Sequence, residues 1–137
     1  MPKLLYIGCD RTLAEITAKM LQRRGYDVLC AVGAEEATAA VHLHKPDVVI
    51  ADFDVDHAEG STFCGLVKQM APMRLLFISA SQDDEINLLN AGADDWMKKP
   101  YKMSVLYARI QASSFRKVLQ ASDISYLEVA IILRASR

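Results

Sequence analysis

The run Pro46-Asp47-Val48-Val49-Ile50-Ala51-Asp52 ends a short apolar stretch on a carboxylate. If that stretch is a strand of a parallel sheet, Asp52 lies at its C-terminal edge, in the crevice where open α/β folds place their ligands. What it can do there depends on its neighbours, and the first apolar stretch ends Tyr6-Ile7-Gly8-Cys9-Asp10, with a single late acid. Rival chemistries fail on spacing. A phosphatase loop opening on Cys9 needs arginine at position 15, where Glu15 stands. A flavin phosphate loop needs hydroxyl residues and glycine after the first strand, and Cys9-Asp10-Arg11-Thr12 is poor in both. A cobalamin-type motif of aspartate, histidine and glycine is nearly met at His57-Ala58-Glu59-Gly60, but Val55 holds the aspartate position and the segment follows the wrong strand. His42 and His44 are two apart on a helix, face opposite sides and cannot share a metal.

The elements that must position Asp52 follow from apolar patterning. Leu4 to Ile7 reads as a buried strand, and Thr12-Leu13-Ala14-Glu15 has the spacing of a capping box that opens a helix with Leu13, Ile16, Met20 and Leu21 on its inner face. Gly25 stops that helix. Val28 to Val32 is a second strand, Glu35 to His44 a helix closed by Pro46, and Val48 to Asp52 the third strand. A helix over Gly60 to Met70 turns Leu66, Val67 and Met70 inward. Leu75 to Ile78 is a fourth strand, Asp84 to Asn90 a helix ended by Gly92, and Asp95 to Lys98 a fifth strand; Ser104 then caps a last helix carrying Leu106, Ile110 and Val118. Apolar strands alternating with amphipathic helices predict a (βα)5 chain with a parallel sheet covered on both faces.

Length and composition set the bounds. A chain of 137 residues, 52% hydrophobic and 24% charged, can bury one good core and is too short for two ordinary domains. The expected division is a domain over 1–120 and a tail over 121–137 that is a linker or the start of an effector domain. A formal net charge of -1 supplies no basic field for nucleic acid and no polybasic patch for a membrane, so neither is an expected direct partner. No apolar run approaches the ~20 residues that span a bilayer, and Met1-Pro2-Lys3 shows no signal-peptide pattern, so the expected location is the cytoplasm. Cys9, Cys30 and Cys64 form no paired motif and read as reduced, small apolar fillers.

Taken together, Asp52, Gly60, Ser79-Ala80, Ala91-Gly92-Ala93-Asp94-Asp95-Trp96 and Lys99-Pro100-Tyr101 resemble the receiver domain of bacterial response regulators, over about residues 3 to 118. The resemblance implies a flavodoxin-like doubly wound five-stranded sheet in the order 2-1-3-4-5. It also implies that Asp52 accepts a phosphoryl group from a sensor histidine kinase, that Ser79 and Lys99 bind the phosphate, and that Trp96 stands at the switch aromatic. The chemistry agrees, since a phosphoryl group adds about -1.5 to -2 charges that a hydroxyl and an ammonium can compensate.

The departure is in the metal site. Members of that family end the first strand on two acids that hold magnesium with the acceptor, and here Gly8 and Cys9 stand in those places. Magnesium wants oxygen ligands, which neither provides. The residues left for a metal are Asp10, Asp52 and Asp54, so the expected cofactor is none, or magnesium bound weakly. Asp52 and Lys99 already sum to zero charge, and phosphoryl transfer without a cation is severely slowed. The favoured reading is an atypical receiver that signals by dimerisation and protein contact with weak or no phosphorylation of Asp52. Its alternatives are an ordinary phosphorelay receiver with an altered magnesium site and, from another class, a small-ligand-binding α/β domain.

Val105-Leu106-Tyr107-Ala108-Arg109-Ile110 further resembles receivers that control winged-helix transcription factors, which dimerise through the fourth helix, fifth strand and fifth helix. That resemblance implies an interface in which Asp95 pairs with Arg109 across two copies. Exposed ion pairs contribute little, so Leu89 and Tyr107 are expected to carry the affinity.

Overall fold

The computed structural model describes residues 2–52 and 57–121. Ten elements alternate: β1 (Lys3–Gly8), α1 (Arg11–Arg23), β2 (Asp27–Val32), α2 (Gly33–His44), β3 (Val48–Asp52), α3 (His57–Met70), β4 (Arg74–Ser79), α4 (Asp84–Ala91), β5 (Asp95–Lys98) and α5 (Met103–Ala121). The strands form one parallel sheet in the order β2-β1-β3-β4-β5. Buried on both faces, they need no polar alternation, and Leu4, Leu5, Ile7, Val48, Val49, Ile50 and Leu75 to Ile78 are essentially inaccessible. The tail from residue 122, with its apolar run at 129–133, lies outside the described residues.

Strand periodicity splits the core in two. On one face Leu5, Ile7, Val49, Ala51, Leu75 and Phe77 meet Ala37 and Val41 of α2, Phe63, Cys64 and Val67 of α3 and Leu88 of α4. On the other, Leu4, Tyr6, Ile50, Leu76, Ile78 and Met97 meet Ala14, Ala18 and Leu21 of α1 and Leu106 and Ile110 of α5.

Several local expectations are corrected. The cap of α1 is Asp10, whose carboxylate accepts from the Leu13 N–H at 3.0 Å, not Thr12. The inner face of that helix is Ala14, Ala18 and Leu21, while Leu13 and Ile16 are 64% and 50% exposed. Two alanines let α1 approach β1 more closely than leucine would. Helix α2 ends at His44 as expected, with Lys45 in the left-handed conformation (φ 48°) directly before Pro46. In α3 Leu66 faces out, and Phe63 and Cys64 face in; α5 begins at Met103, so Ser104 lies within its first turn. Of the cysteines only Cys64 is a full core filler, with Cys30 partly covered and Cys9 exposed.

At the N-terminal edge of the sheet one carboxylate gathers several donors. Asp94 accepts from Lys68 Nζ at 2.8 Å and from the Leu75 N–H at 2.7 Å, and pairs with Arg74 at 3.4 Å. Lys68 also donates to the Met73 carbonyl, so β4, β5 and α3 are fastened together there.

Candidate functional site

Parallel pairing with matched lengths brings the strand ends to one edge. Asp52 stands opposite Ile78, one residue before Ser79, and the register of β1 against β3 pairs Ile7 with Ala51, so that Gly8 falls beside Asp52. Lys99 follows β5 and reaches across β4 to set its Nζ 2.5 Å from Asp52 Oδ1, with the two side chains 28% and 12% exposed. Asp52 and Lys99 are thus brought together, and their charges cancel.

The second Asp52 oxygen has a partner that the sequence did not reveal. The Tyr6 hydroxyl donates to Oδ2 at 2.5 Å. Tyr6 pairs with Ile50, two residues short of Asp52, and shares its side of the sheet, so the length of a phenol covers the remaining strand period. The ring is 3% exposed. Burial first, and then the hydrogen bond and charge of Asp52, raise the Tyr6 pKa far above its ordinary value, so the phenol remains a neutral donor. Tyr101, beside the same carboxylate, is also shifted up, by burial and then by the Asp52 charge. A buried tyrosine needs a partner for its hydroxyl, and a tyrosine on the parity of Asp52 was the available clue.

Ser79, 7% exposed, does not turn its hydroxyl to the acceptor. It donates to a carboxylate oxygen of Asp84, at the start of α4, and accepts from the Ser81 N–H at 3.2 Å. The hydroxyl is therefore held by the loop that joins β4 to α4. Asp84 was not singled out from the sequence; its position five residues after Ser79, opening a helix, was the only hint.

The metal candidates are dispersed in role. Asp10 borders the small recess of about 100 Å³ formed with Tyr6, Gly8, Cys9, Leu13, Ala14, Asp52 and Lys99, yet its carboxylate serves as the α1 cap. Asp54 lies outside the described residues. Asp52 has one oxygen on an ammonium and the other on a phenol. Among the described residues no three acids, histidines or cysteines gather as a metal site. Among the described residues the donor set does not supply the several oxygens around one position that magnesium needs.

Along the opposite side of β5 runs an open groove of about 660 Å³, bordered by Glu85, Leu89, Asp95, Trp96, Val105 and Arg109 among others. Trp96 is half-buried, packs on the α2–α3–α4 side of the core, and its indole Nε1 is buried with no hydrogen-bond partner among the described residues. Leu89 and Val105 are 39% and 41% exposed there. Asp95 and Arg109 meet within one chain, at 2.8 and 3.0 Å. Tyr107 is not on the groove: it packs against the α1 and α5 core beneath Arg24. Residues two apart on a helix diverge by about 200°, so Val105 and Tyr107 cannot share a face.

Comparison with known proteins bears directly on this edge. The family model described as "Response regulator receiver domain" matches residues 5–111. Among solved structures, the chain is similar to a two-component response regulator from Clostridium difficile (24% identity, TM-score 0.76, covering 85% of this chain and 98% of that one). It is similar also to a CheY-like receiver domain protein from Methanospirillum hungatei JF-1 (22%, TM-score 0.79, 88% and 98%). A third is the BeF3-activated N-terminal receiver domain of RstA from Klebsiella pneumoniae (23%, TM-score 0.72, 81% and 97%). Among the described residues no helix is long and apolar enough to cross a membrane.

Proposed function

Given that the chain belongs to the response regulator receiver family, we propose that it is the receiver of a transcriptional regulator whose output is protein contact, with Asp52 phosphorylated poorly or not at all. The observation that carries this reading is the occupation of both Asp52 oxygens, one by Lys99 and one by Tyr6. An acceptor carboxylate must present a free oxygen to phosphorus, with cations over the equatorial oxygens of the transferring group. Here the ammonium that would meet the phosphate is already paired with the nucleophile, and the acid pair that would add a cation is Gly8 and Cys9. The alternative of an ordinary phosphorelay receiver would require Asp10 as a ligand, at the cost of its cap on α1.

The contact surface that fits this role is the groove between α4, β5 and α5, where Leu89 and Val105 offer apolar area beside the Asp95–Arg109 pair. A homodimer through this face, formed without phosphoryl donor, is the favoured assembly; a histidine kinase is then at most a docking partner. Incubation with acetyl phosphate and magnesium followed by intact-mass measurement tests the reading. We expect the mass to stay essentially that of the unmodified chain. Near-complete addition of one phosphoryl group, abolished by Asp52→Asn, would overturn it.

A further inference from the structure

The loss of two acids is the visible departure in the sequence, but the structure carries a second one that the sequence does not announce. Position 8 is closed by its neighbours. A Cβ built on Gly8 would come within 2.9 Å of the Ala14 Cβ and 3.6 Å of the Tyr6 ring, although the glycine needs no unusual backbone conformation. The first distance is one that real Cβ atoms essentially never show. It arises because α1 presents Ala14 and Ala18, 2% and 4% exposed, directly against β1. The second neighbour is the phenol whose hydroxyl already occupies Asp52 Oδ2.

We propose that Tyr6 and Ala14 are the residues that exclude a divalent cation from this pocket, with the Tyr6 hydroxyl serving Asp52 as the donor that replaces it. Three observations converge. The hydroxyl lies at hydrogen-bond distance from Asp52 Oδ2, so that oxygen already has a donor, and the ring lies at ordinary van der Waals distance, 3.6 Å, from a Cβ at position 8. Ala14 forbids that side chain unless α1 moves back. A neutral phenol is a poor ligand for a hard cation, which prefers carboxylate and carbonyl oxygen. Tyr6 is thus a positioning residue: it acts on Asp52 by fixing the carboxylate between a phenol and an ammonium. Restoring acids at positions 8 and 9 alone then does not restore a metal site.

The inference rests on the reading of Asp52 as the family's acceptor, but its test measures metal binding and folding rather than phosphoryl transfer, so either idea can fail alone. The test titrates manganese, as a magnesium surrogate, by calorimetry into the wild type, the double variant Gly8→Asp with Cys9→Asp, and the fourfold variant that adds Tyr6→Val and Ala14→Gly. The expected result is saturable binding in the fourfold variant, at least tenfold tighter than in the double variant. Equal binding by the two, or a folded fourfold variant that takes up no metal, would overturn the proposal. Should the fourfold variant not fold, melting of Gly8→Asp with and without Ala14→Gly decides. Ala14→Gly should lower the midpoint in the wild-type background and raise it beside Gly8→Asp. The same shift in both backgrounds rejects the clash.

Discussion

Arg24 lies over the ring of Tyr107, its guanidinium carbon 4.2 Å from the ring centroid, and so joins the end of α1 to α5 on the side of the domain away from the groove. This contact assigns Tyr107 to the fold and leaves the groove to Leu89 and Val105.

Tyr107→Ala should therefore act on stability and not on assembly. We expect urea unfolding to show a loss of roughly 1–3 kcal/mol for Tyr107→Ala, less than a fully buried ring would cost, and about 0.5–1 kcal/mol for Arg24→Ala. Leu89→Ala and Val105→Ala should each weaken self-association by more than ~1 kcal/mol while hardly moving the unfolding midpoint. Sedimentation of the untreated chain at micromolar concentration separates the cases. A dimer sensitive to Tyr107→Ala and indifferent to Leu89→Ala would contradict the arrangement.

The bond from Ser79 to Asp84 ties the last residue of β4 to the first turn of α4. A hydrogen bond to a charged group contributes about 1.5–3 kcal/mol, and this one is partly buried. Ser79→Ala and Asp84→Ala should each speed amide hydrogen exchange in α4, and the double variant should exchange no faster than the worse single one. Additive effects would mean that the two residues act separately.

Burial pushes the Cys64 thiol from its ordinary value of 9.0 up to about 11, and Tyr6 is shifted in the same direction. A raised pKa means that the folded state holds its proton when the unfolded state has released it. The stability from Cys64 is then complete below about pH 9 and is lost as pH climbs towards 11, by roughly 3 kcal/mol at most, at about 1.4 kcal/mol per pKa unit. Cys64→Ala, a small apolar replacement, should flatten the decline of unfolding free energy between pH 9 and 11, and a slope equal to the wild type would reject the assignment.

How much of this could be read from the chain depends on the range of the forces involved. Strand order and the Asp52–Lys99 pair were legible because strand periodicity and the resemblance in the loops are local and additive. The pairing of Asp95 with Arg109 within one chain was not, because both residues match an interface pattern and only the side-chain geometry decides which partner each one meets. Leu13 and Ile16 misled for a different reason. Large apolar residues at helical spacing predict an inner face, but close approach of α1 to β1 favours alanine there, and the larger side chains are left outside. Tyr6 escaped notice because an aromatic in a buried strand reads as filler until its hydroxyl has a partner across the sheet.

The carboxylate of Asp94, saturated by Lys68, Arg74 and a backbone amide, sits at the other end of the strands from Asp52. Each end of the sheet thus carries its own ionic centre, the Asp94 one tying α3 to β4 and β5 and the Asp52 one tying β3 to β1 and to the segment after β5. Substitutions at positions 6, 8 and 9 therefore leave the Asp94 cluster untouched, since none of its partners lies at that end. The architecture thus keeps the anchoring of α3 to β4 and β5 apart from the edge that holds Asp52.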